Sequence, residues 1–316
     1  MKRVLVTGGE SMIGKAIIEA LARAGIWADS VPHKECDLLD YRQVEKRLKK
    51  FKPDGIIHAA GWNGGIAWCK EYPATIYYRT AMMALNVYHA AINYGKVKKI
   101  LGILASCSYP DKPTEAYVET DLWEGRPNLS IECHGLSKRI IADYGRQISK
   151  QYAQDIECIS VVLNNCYGPH DSYHLEKTKV VGALIRRFVE AQQNQVSAVT
   201  CWGTGAPLRE FVFAPDAGYA IVHCLNHYSN TSLPINISSG YEVSIKELTE
   251  TIADIVGYTG EICWDVHKPD GQMRKKLDTS LFQSICNMQF TSLRDGLKKT
   301  IEWYIANKEL ADSKGF

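Results

Sequence analysis

The sequence predicts an α/β fold built on a doubly wound parallel sheet, and three observations carry that prediction. The chain opens on a short apolar run, "RVLVT" (3–7), that ends in Gly8-Gly9 and passes into a helical pattern of Ile13, Ala16, Ile17, Ala20 and Leu21. Similar runs recur at 54–61 ("DGIIHAAG"), 98–106 ("KKILGILAS") and 156–164 ("IECISVVLN"). None alternates polar with apolar, as suits strands buried on both faces. Helical patterns at 41–51, roughly 74–94 and 134–152 separate these runs, so each strand–helix–strand passage reads as a parallel crossover unit.

After about residue 166 the texture changes. "CYGPHDSYH" is loop-like and "KVVGALIRRFVEAQQ" is helical. "VTCWGTGAPLREFVFAPDAG" holds a strand, a Gly/Pro turn and a second strand, and helical patterns follow at 244–256 and 291–306. The expected division is a dinucleotide-binding domain over 1–165, to which 210–235 returns. A smaller substrate-binding lobe takes 166–209 and 236–316 and lies over the C-terminal ends of the strands, where open α/β sheets bind ligands.

Composition narrows the function. The 316 residues are 46% hydrophobic and 23% charged, enough for an ordinary packed core. A net charge of +2 argues against nucleic acid or a membrane surface as partner. No apolar run approaches bilayer length, and "MKRVLVTGG" enters a strand at once, so neither a span nor a secretory leader is expected. The ten cysteines form no C-x-x-C pair, which disfavours a zinc ribbon or redox dithiol. No metal site is expected, and reduced thiols fit a cytoplasmic protein.

"TGGESMIG" places Gly8, Ser11 and Gly14 at the spacing of a Rossmann-type dinucleotide turn. Gly8 permits the sharp exit from the strand, Gly14 lets the helix approach the sheet, and Ser11 stands where the middle glycine is usual. The helix-start amides would receive a pyrophosphate. The expected cofactor contacts are Gly8, Glu10, Ser11, Met12, Ile13 and Gly14 in the turn, His33, Lys34, Asp37 and Leu38 after the second strand, Ala59, Ala60 and Gly61 after the third, and Lys138. His33 and Lys34 lean toward the 2′-phosphate of NADP, Glu10 works against it, and NAD stays open.

"TGGESMIG", "HAAGWNGG", "SCSYP", "HGLSK", "NNCYGPHD", "WGTGAPLREF" and "PDGQMRKKLD" occur in this order over about residues 3–305. Together they resemble the extended short-chain dehydrogenase/reductases and, within them, the GDP-L-fucose synthase family. The resemblance implies hydride transfer between a nicotinamide and C4 of a GDP-linked 4-keto-6-deoxy sugar, with proton shuttling at C3 and C5. It also implies a homodimer formed through the helices at 74–94 and 134–152. In that family a Tyr exchanges the proton at the C4 oxygen, a Lys four residues later holds the ribose and lowers the Tyr pKa, and a Ser hydrogen-bonds the same oxygen, while a Cys and a His serve C3 and C5.

Onto this chain the Lys maps to Lys138 and the Cys to Cys107. The Tyr position holds His134, the Ser position Ala105 beside Ser106, and the His position Lys179. The expected catalytic set is therefore His134, Lys138, Cys107, Lys179 and Ser106, and the expected substrate contacts are Asn165, Arg187, Trp202, Arg209 and Lys275. His134 retains acid–base capacity, with a reference pKa of about 6.5, and Lys138 nearby favours the neutral imidazole. Ser106, Ser108 or Tyr109 stands near enough to replace the missing hydroxyl, and Cys107 is a carbon-acid base if its pKa falls. His170 and His174, with Asp171 to orient one, are alternative proton carriers. Asn86 is expected to brace the catalytic helix, and "WNGGIAW" (62–68) to cover the sugar. Two other readings stay open: an epimerase holding NAD tightly, and an impaired homologue that only binds cofactor and sugar nucleotide.

Overall fold

The computed structural model describes residues 1–174, 178–268 and 270–313. Pro269, within the "PDGQMRKKLD" motif, lies outside the described residues. The chain runs β1 Arg3–Thr7, α1 Met12–Arg23, β2 Trp27–Val31, α2 Tyr41–Phe51, β3 Gly55–His58, α3 Ile66–Glu71, α4 Pro73–Tyr94, β4 Lys99–Ala105, α5 Glu132–Gln151 and β5 Glu157–Leu163. It continues β6 Asn165–Tyr167, α6 Val180–Gln193, β7 Ala198–Trp202, β8 Leu208–Phe213, α7 Ala214–His227, β9 Ile235–Ile237, β10 Glu242–Ser244 and α8 Ile245–Val256. β11 Glu261–Asp265, β12 Arg274–Lys275, α9 Ser280–Ile285, α10 Leu293–Ala306 and α11 Lys308–Ser313 complete it.

Six parallel strands form the main sheet in the order β2-β1-β3-β4-β5-β9. Its apolar runs feed a core on each face. α1, α7 and α9 cover one side through residues such as Ile17, Leu21, Ala217, Ile221 and Phe282. α2, α4 and α5 cover the other through Val44, Leu48, Val87, Tyr88, Ile141 and Ile148. Burial on both sides explains why none of the strands alternates. The strand order reverses between β1 and β3, which opens a crevice at their C-terminal ends.

The lobe has its own core around Phe188, Phe211, Leu248 and Tyr304. Its sheet joins β10, β8 and β12, with β6 also paired to β8. Residues 210–213 of the stretch expected to return to the large sheet stand in β8 of the small one, and α7 and β9 make the return. Asn86 differs from expectation: its amide donates to Leu38 O at 2.9 Å and Leu39 O at 3.0 Å. It ties α4 to the loop after β2, the cofactor wall, and not to α5.

Candidate active site

The crevice between β1 and β3 is lined by backbone. Gly8 turns out of β1 at a φ of 70°, and a Cβ there would stand 2.9 Å from Ala60 N. Gly14 sits against the turn: a Cβ on it would lie 2.1 Å from Gly8 O. Ser11 caps α1, its hydroxyl accepting Gly14 N–H at 3.1 Å, which leaves the amides of Met12 and Ile13 as orphan donors at the helix start. Such a start fits a pyrophosphate. Glu10, His33 and Lys34 are exposed at the rim, Leu38 is buried, and the Asp37 carboxylate accepts Leu39 N–H at 3.0 Å. Ala59, Ala60 and Gly61 follow β3 across the crevice, and Thr7 Oγ1 accepts Ala60 N–H at 3.3 Å.

α5 delivers the polar groups. Lys138 is buried and donates from Nζ to Ile103 O at 3.0 Å and Ala60 O at 3.4 Å. Burial pulls its pKa down to about 8; Cys107 opposes this and Lys179 adds to it. One turn earlier, His134 is only 7% exposed. Its Nε2 lies 3.2 Å from Asn63 Nδ2, and its enclosed Nδ1 has no hydrogen-bond partner among the described residues. Burial first, then Lys138, Lys179 and Lys275, hold its protonation well below the usual range. The imidazole is therefore neutral. The Gly between His134 and Leu136 has a packing cause: a Cβ on Gly135 would meet Cys107 O at 2.4 Å, so the first turn of α5 rests on that backbone.

Cys107 stands in a 3-10 turn after β4. Burial pushes its thiol up, while Lys275, Lys179 and Lys138 push it down without prevailing. The condition for a carbon-acid base, a lowered pKa, is not met here, and the resting group is a thiol. Ser106 is buried and donates to Asn164 Oδ1 at 3.1 Å; Asn164 in turn donates to Glu210 Oε2 at 2.7 Å and Ser238 Oγ at 3.2 Å. Tyr109 donates to Asn236 Oδ1 at 2.7 Å, and Ser108 is fully buried. Ser106 and Tyr109 thus serve the framework, contrary to the expectation of a replacement hydroxyl. Glu210, fully buried with its carboxyl pushed up by burial, locks β5, β8 and the segment after β12 together through Asn164 and Leu277 N.

A basic wall faces these groups. Lys275 on β12 is buried and pulled to about 8, chiefly by burial, with Cys107 opposing and Arg209 and Lys179 adding. Arg209, its register partner on β8, donates to Leu208 O at 2.7 Å and Gln272 O at 2.5 Å. Lys179 is exposed and caps α6. Asn165 donates to Asn164 Oδ1 at 3.1 Å and Glu210 O at 3.0 Å. Arg187 donates to Thr200 O at 2.7 Å beside a cavity of about 470 Å³ between α6 and β7. Trp202, 64% exposed, ends β7 with Lys268 over its ring. His170 packs on Trp303 of α10. Mutual electrostatic influence thus joins His134, Lys138, Cys107, Lys179, Lys275 and Arg209, while Arg187 and Trp202 stand on separate elements. Asn63 and the Asn164–Glu210 pair were not singled out from sequence. The only signals were an Asn before Gly64-Gly65, an Asn doublet and the acid beside Arg209.

The chain was compared with known proteins. The model of the NAD dependent epimerase/dehydratase family matches residues 4–238. GDP-L-fucose synthase 1 of Arabidopsis thaliana is 36% identical over 306 residues, spanning 96% of this chain and 94% of that protein. A solved GDP-L-fucose synthetase from Naegleria fowleri, bound to NADP, matches with a TM-score of 0.90 at 28% identity, covering 99% of this chain and 96% of that one. A GDP-mannoheptose C4 reductase from Campylobacter jejuni, with NADP bound, matches with a TM-score of 0.85 at 26% identity, over 96% and 98% of the two chains.

Proposed function

Because the chain belongs to the NAD dependent epimerase/dehydratase family, we propose that it is an NADP-dependent oxidoreductase that reduces the 4-keto group of a GDP-linked 4-keto-6-deoxy sugar. The single observation that carries this reading is Lys138. Its ammonium is pinned to the carbonyls of Ala60 and Ile103, beside the crevice where the strand order reverses, with His134 one turn away. The turn of Gly8 to Gly14 and the start of α1 would hold the pyrophosphate, and His33 and Lys34 the 2′-phosphate. Bound there, the reduced nicotinamide supplies the hydride for C4.

The protein's part is to hold the sugar and its charge. Arg209 and Lys275 face the diphosphate, and Arg187 and Trp202 the nucleoside. As the carbonyl oxygen becomes an alkoxide, Lys138 stabilises it and supplies a proton, which solvent replaces. Cys107 and Lys179 are the groups we assign to proton exchange at C3 and C5. Cys107 rests as a thiol, so it must lose a proton before it can act as a base at carbon. Ten unpaired cysteines suit a reducing, cytoplasmic setting. The exposed Tyr77 and Tyr78 on α4 suit a homodimer through α4 and α5.

The reading is tested by incubating the protein with NADPH and GDP-4-keto-6-deoxy-mannose; loss of the reduced-nicotinamide absorbance is expected, and its absence sinks the reading. Two further results are expected. In free enzyme Lys138 and Lys275 carry charge below about pH 8 and lose it above, so kcat/KM for the sugar falls as pH rises past about 8. The neutral His134 adds no limb near pH 6.5. A bell with an acid limb near pH 6.5 would show a titrating imidazole. In deuterated water, Cys107→Ser leaves NADPH consumption nearly unchanged and removes any deuterium at C3 or C5 of the product. Retained label in the variant would acquit Cys107 of proton transfer.

A further inference from the structure

The hydroxyls at the end of β4 are either hydrogen-bonded to the framework or, at Ser108, buried without a partner among the described residues. Ala105 has none, Ser106 is bound to Asn164, Tyr109 is bound to Asn236, and Ser108 is fully buried. The imidazole of His134 does not replace them directly. It is enclosed, and its far nitrogen ends on Asn63 at 3.2 Å. Asn63, by contrast, is only half-buried, in the loop between β3 and α3. Two residues before it, Gly61 abuts Lys138: a Cβ there would stand 3.2 Å from Nζ. One residue after it, Gly64 lies against Trp68, where a Cβ would stand 2.7 Å from the ring. The loop thus lies between Lys138 and α3, with the half-buried Asn63 amide against His134.

We propose that Asn63 is a further catalytic residue: one N–H of its side-chain amide is held by His134 Nε2, and the other donates to the keto oxygen of the substrate. A neutral imidazole that accepts at Nε2 carries its own proton on Nδ1, so nothing on its cleft side can donate. The primary amide solves this, because it has two donors and spends only one on His134. The imidazole acts through it: it fixes the amide's direction and, as an acceptor, polarises the remaining N–H. His134 is then a positioning residue. Such a donor, set before reaction toward the developing oxyanion, acts on the transition state more than on the bound ketone. The proton that finally reaches the oxygen still comes from Lys138 or from water behind it. The assignment rests on the 4-keto reduction proposed above.

The test uses the whole protein with NADPH and GDP-4-keto-6-deoxy-mannose. Asn63→Ala is expected to lower kcat roughly a hundredfold, the usual effect of losing one oxyanion donor, and to raise KM for the keto sugar by up to about tenfold. Asn63→Asp, which offers only acceptors, falls at least as far. His134→Ala costs about as much as Asn63→Ala, and the double variant costs no more than either, because the two act as one unit. A kcat for Asn63→Ala within twofold of the parent, or a double variant whose loss is the product of the single losses, overturns the proposal. A binding measurement separates the contact from the reaction. With NADP⁺ present, Asn63→Ala is expected to weaken GDP-4-keto-6-deoxy-mannose about tenfold and leave GDP-mannose, which has a hydroxyl at C4, unchanged. If the variant shows that selective loss but the parent consumes no NADPH, the reaction is wrong and the contact stands. If it consumes NADPH while the variant binds both sugars as the parent does, the reaction stands and the contact is wrong.

Discussion

Lys138→Met is expected to reduce kcat/KM for the keto sugar by about three orders of magnitude, within the range for losing a positioned proton donor, while the protein stays folded. Two physical effects separate activity from stability here. The ammonium is fixed to the backbone through Ala60 O, just after β3, and Ile103 O, on β4. Holding it there is also a burden on the fold, since burial drags its pKa from 10.5 to about 8. The sign is then fixed. Between about pH 8 and 10.5 the unfolded chain binds this proton and the native one does not, so stability rises with pH across that window, and the burden is full below it. Methionine keeps the stem's volume and drops the charge, which removes that rise, at the cost of two carbonyls losing a donor. Denaturant midpoints at pH 7 and about pH 10 should therefore differ less in the variant than in the parent. A variant that unfolds, or one that keeps more than a tenth of parental kcat/KM, would deny Lys138 this role.

The frame of the site was legible in the sequence because it is written in backbone. "RVLVT" followed by Gly8, and the strand–helix alternation after it, have few other solutions, and the helices expected at 41–51, 74–94 and 134–152 stand within about two residues of those bounds, while β3 stops three residues short of 61. The spacing of His134 and Lys138 likewise had to place them one above the other on a helix. What sequence could not show was the direction of short side chains. Ser106 sits beside Ala105 and looked available, yet the turn after β4 aims it inward at Asn164. Asn86 lies on α4 against α5, yet its amide reaches the loop at Leu38 and Leu39. The loop 62–68 was expected over the sugar, but Asn63 itself carried only a weak signal, since an Asn before two glycines reads as turn chemistry. Its meaning appears only when α5 brings His134 to it across 71 positions. Charge state was equally hidden. The fold brings Lys138, Lys179 and Lys275 to act on Cys107, but burial outweighs them and its pKa rises.

Gly14→Ala is expected to abolish tight NADPH binding and lower stability by about 3 kcal/mol, the upper end of overpacking costs. The added methyl would lie 2.1 Å from Gly8 O, 2.6 Å from Gly9 Cα and 2.8 Å from Gly8 C. All three are backbone atoms of the turn itself, so no side chain can swing away. The chain must either slide α1 along the sheet or open the turn. The first would disturb the pairing of Ile17 and Leu21 with the core. The second would move Gly8 against Ala60, where its own Cα already has no room for a Cβ. Either way the amides of Met12 and Ile13 no longer point at one pyrophosphate. Gly25→Ala is the control: it has open space around it but a φ of 69°, so it bears only the left-handed backbone cost of about 1–2 kcal/mol. Thermal denaturation with and without NADPH distinguishes the two. Gly25→Ala should keep the full upward shift on adding cofactor, and Gly14→Ala should lose it. Were Gly14→Ala to retain that shift, the cofactor would not be cradled by this turn, and Ser11 at the middle position would need another reason for its cap on α1.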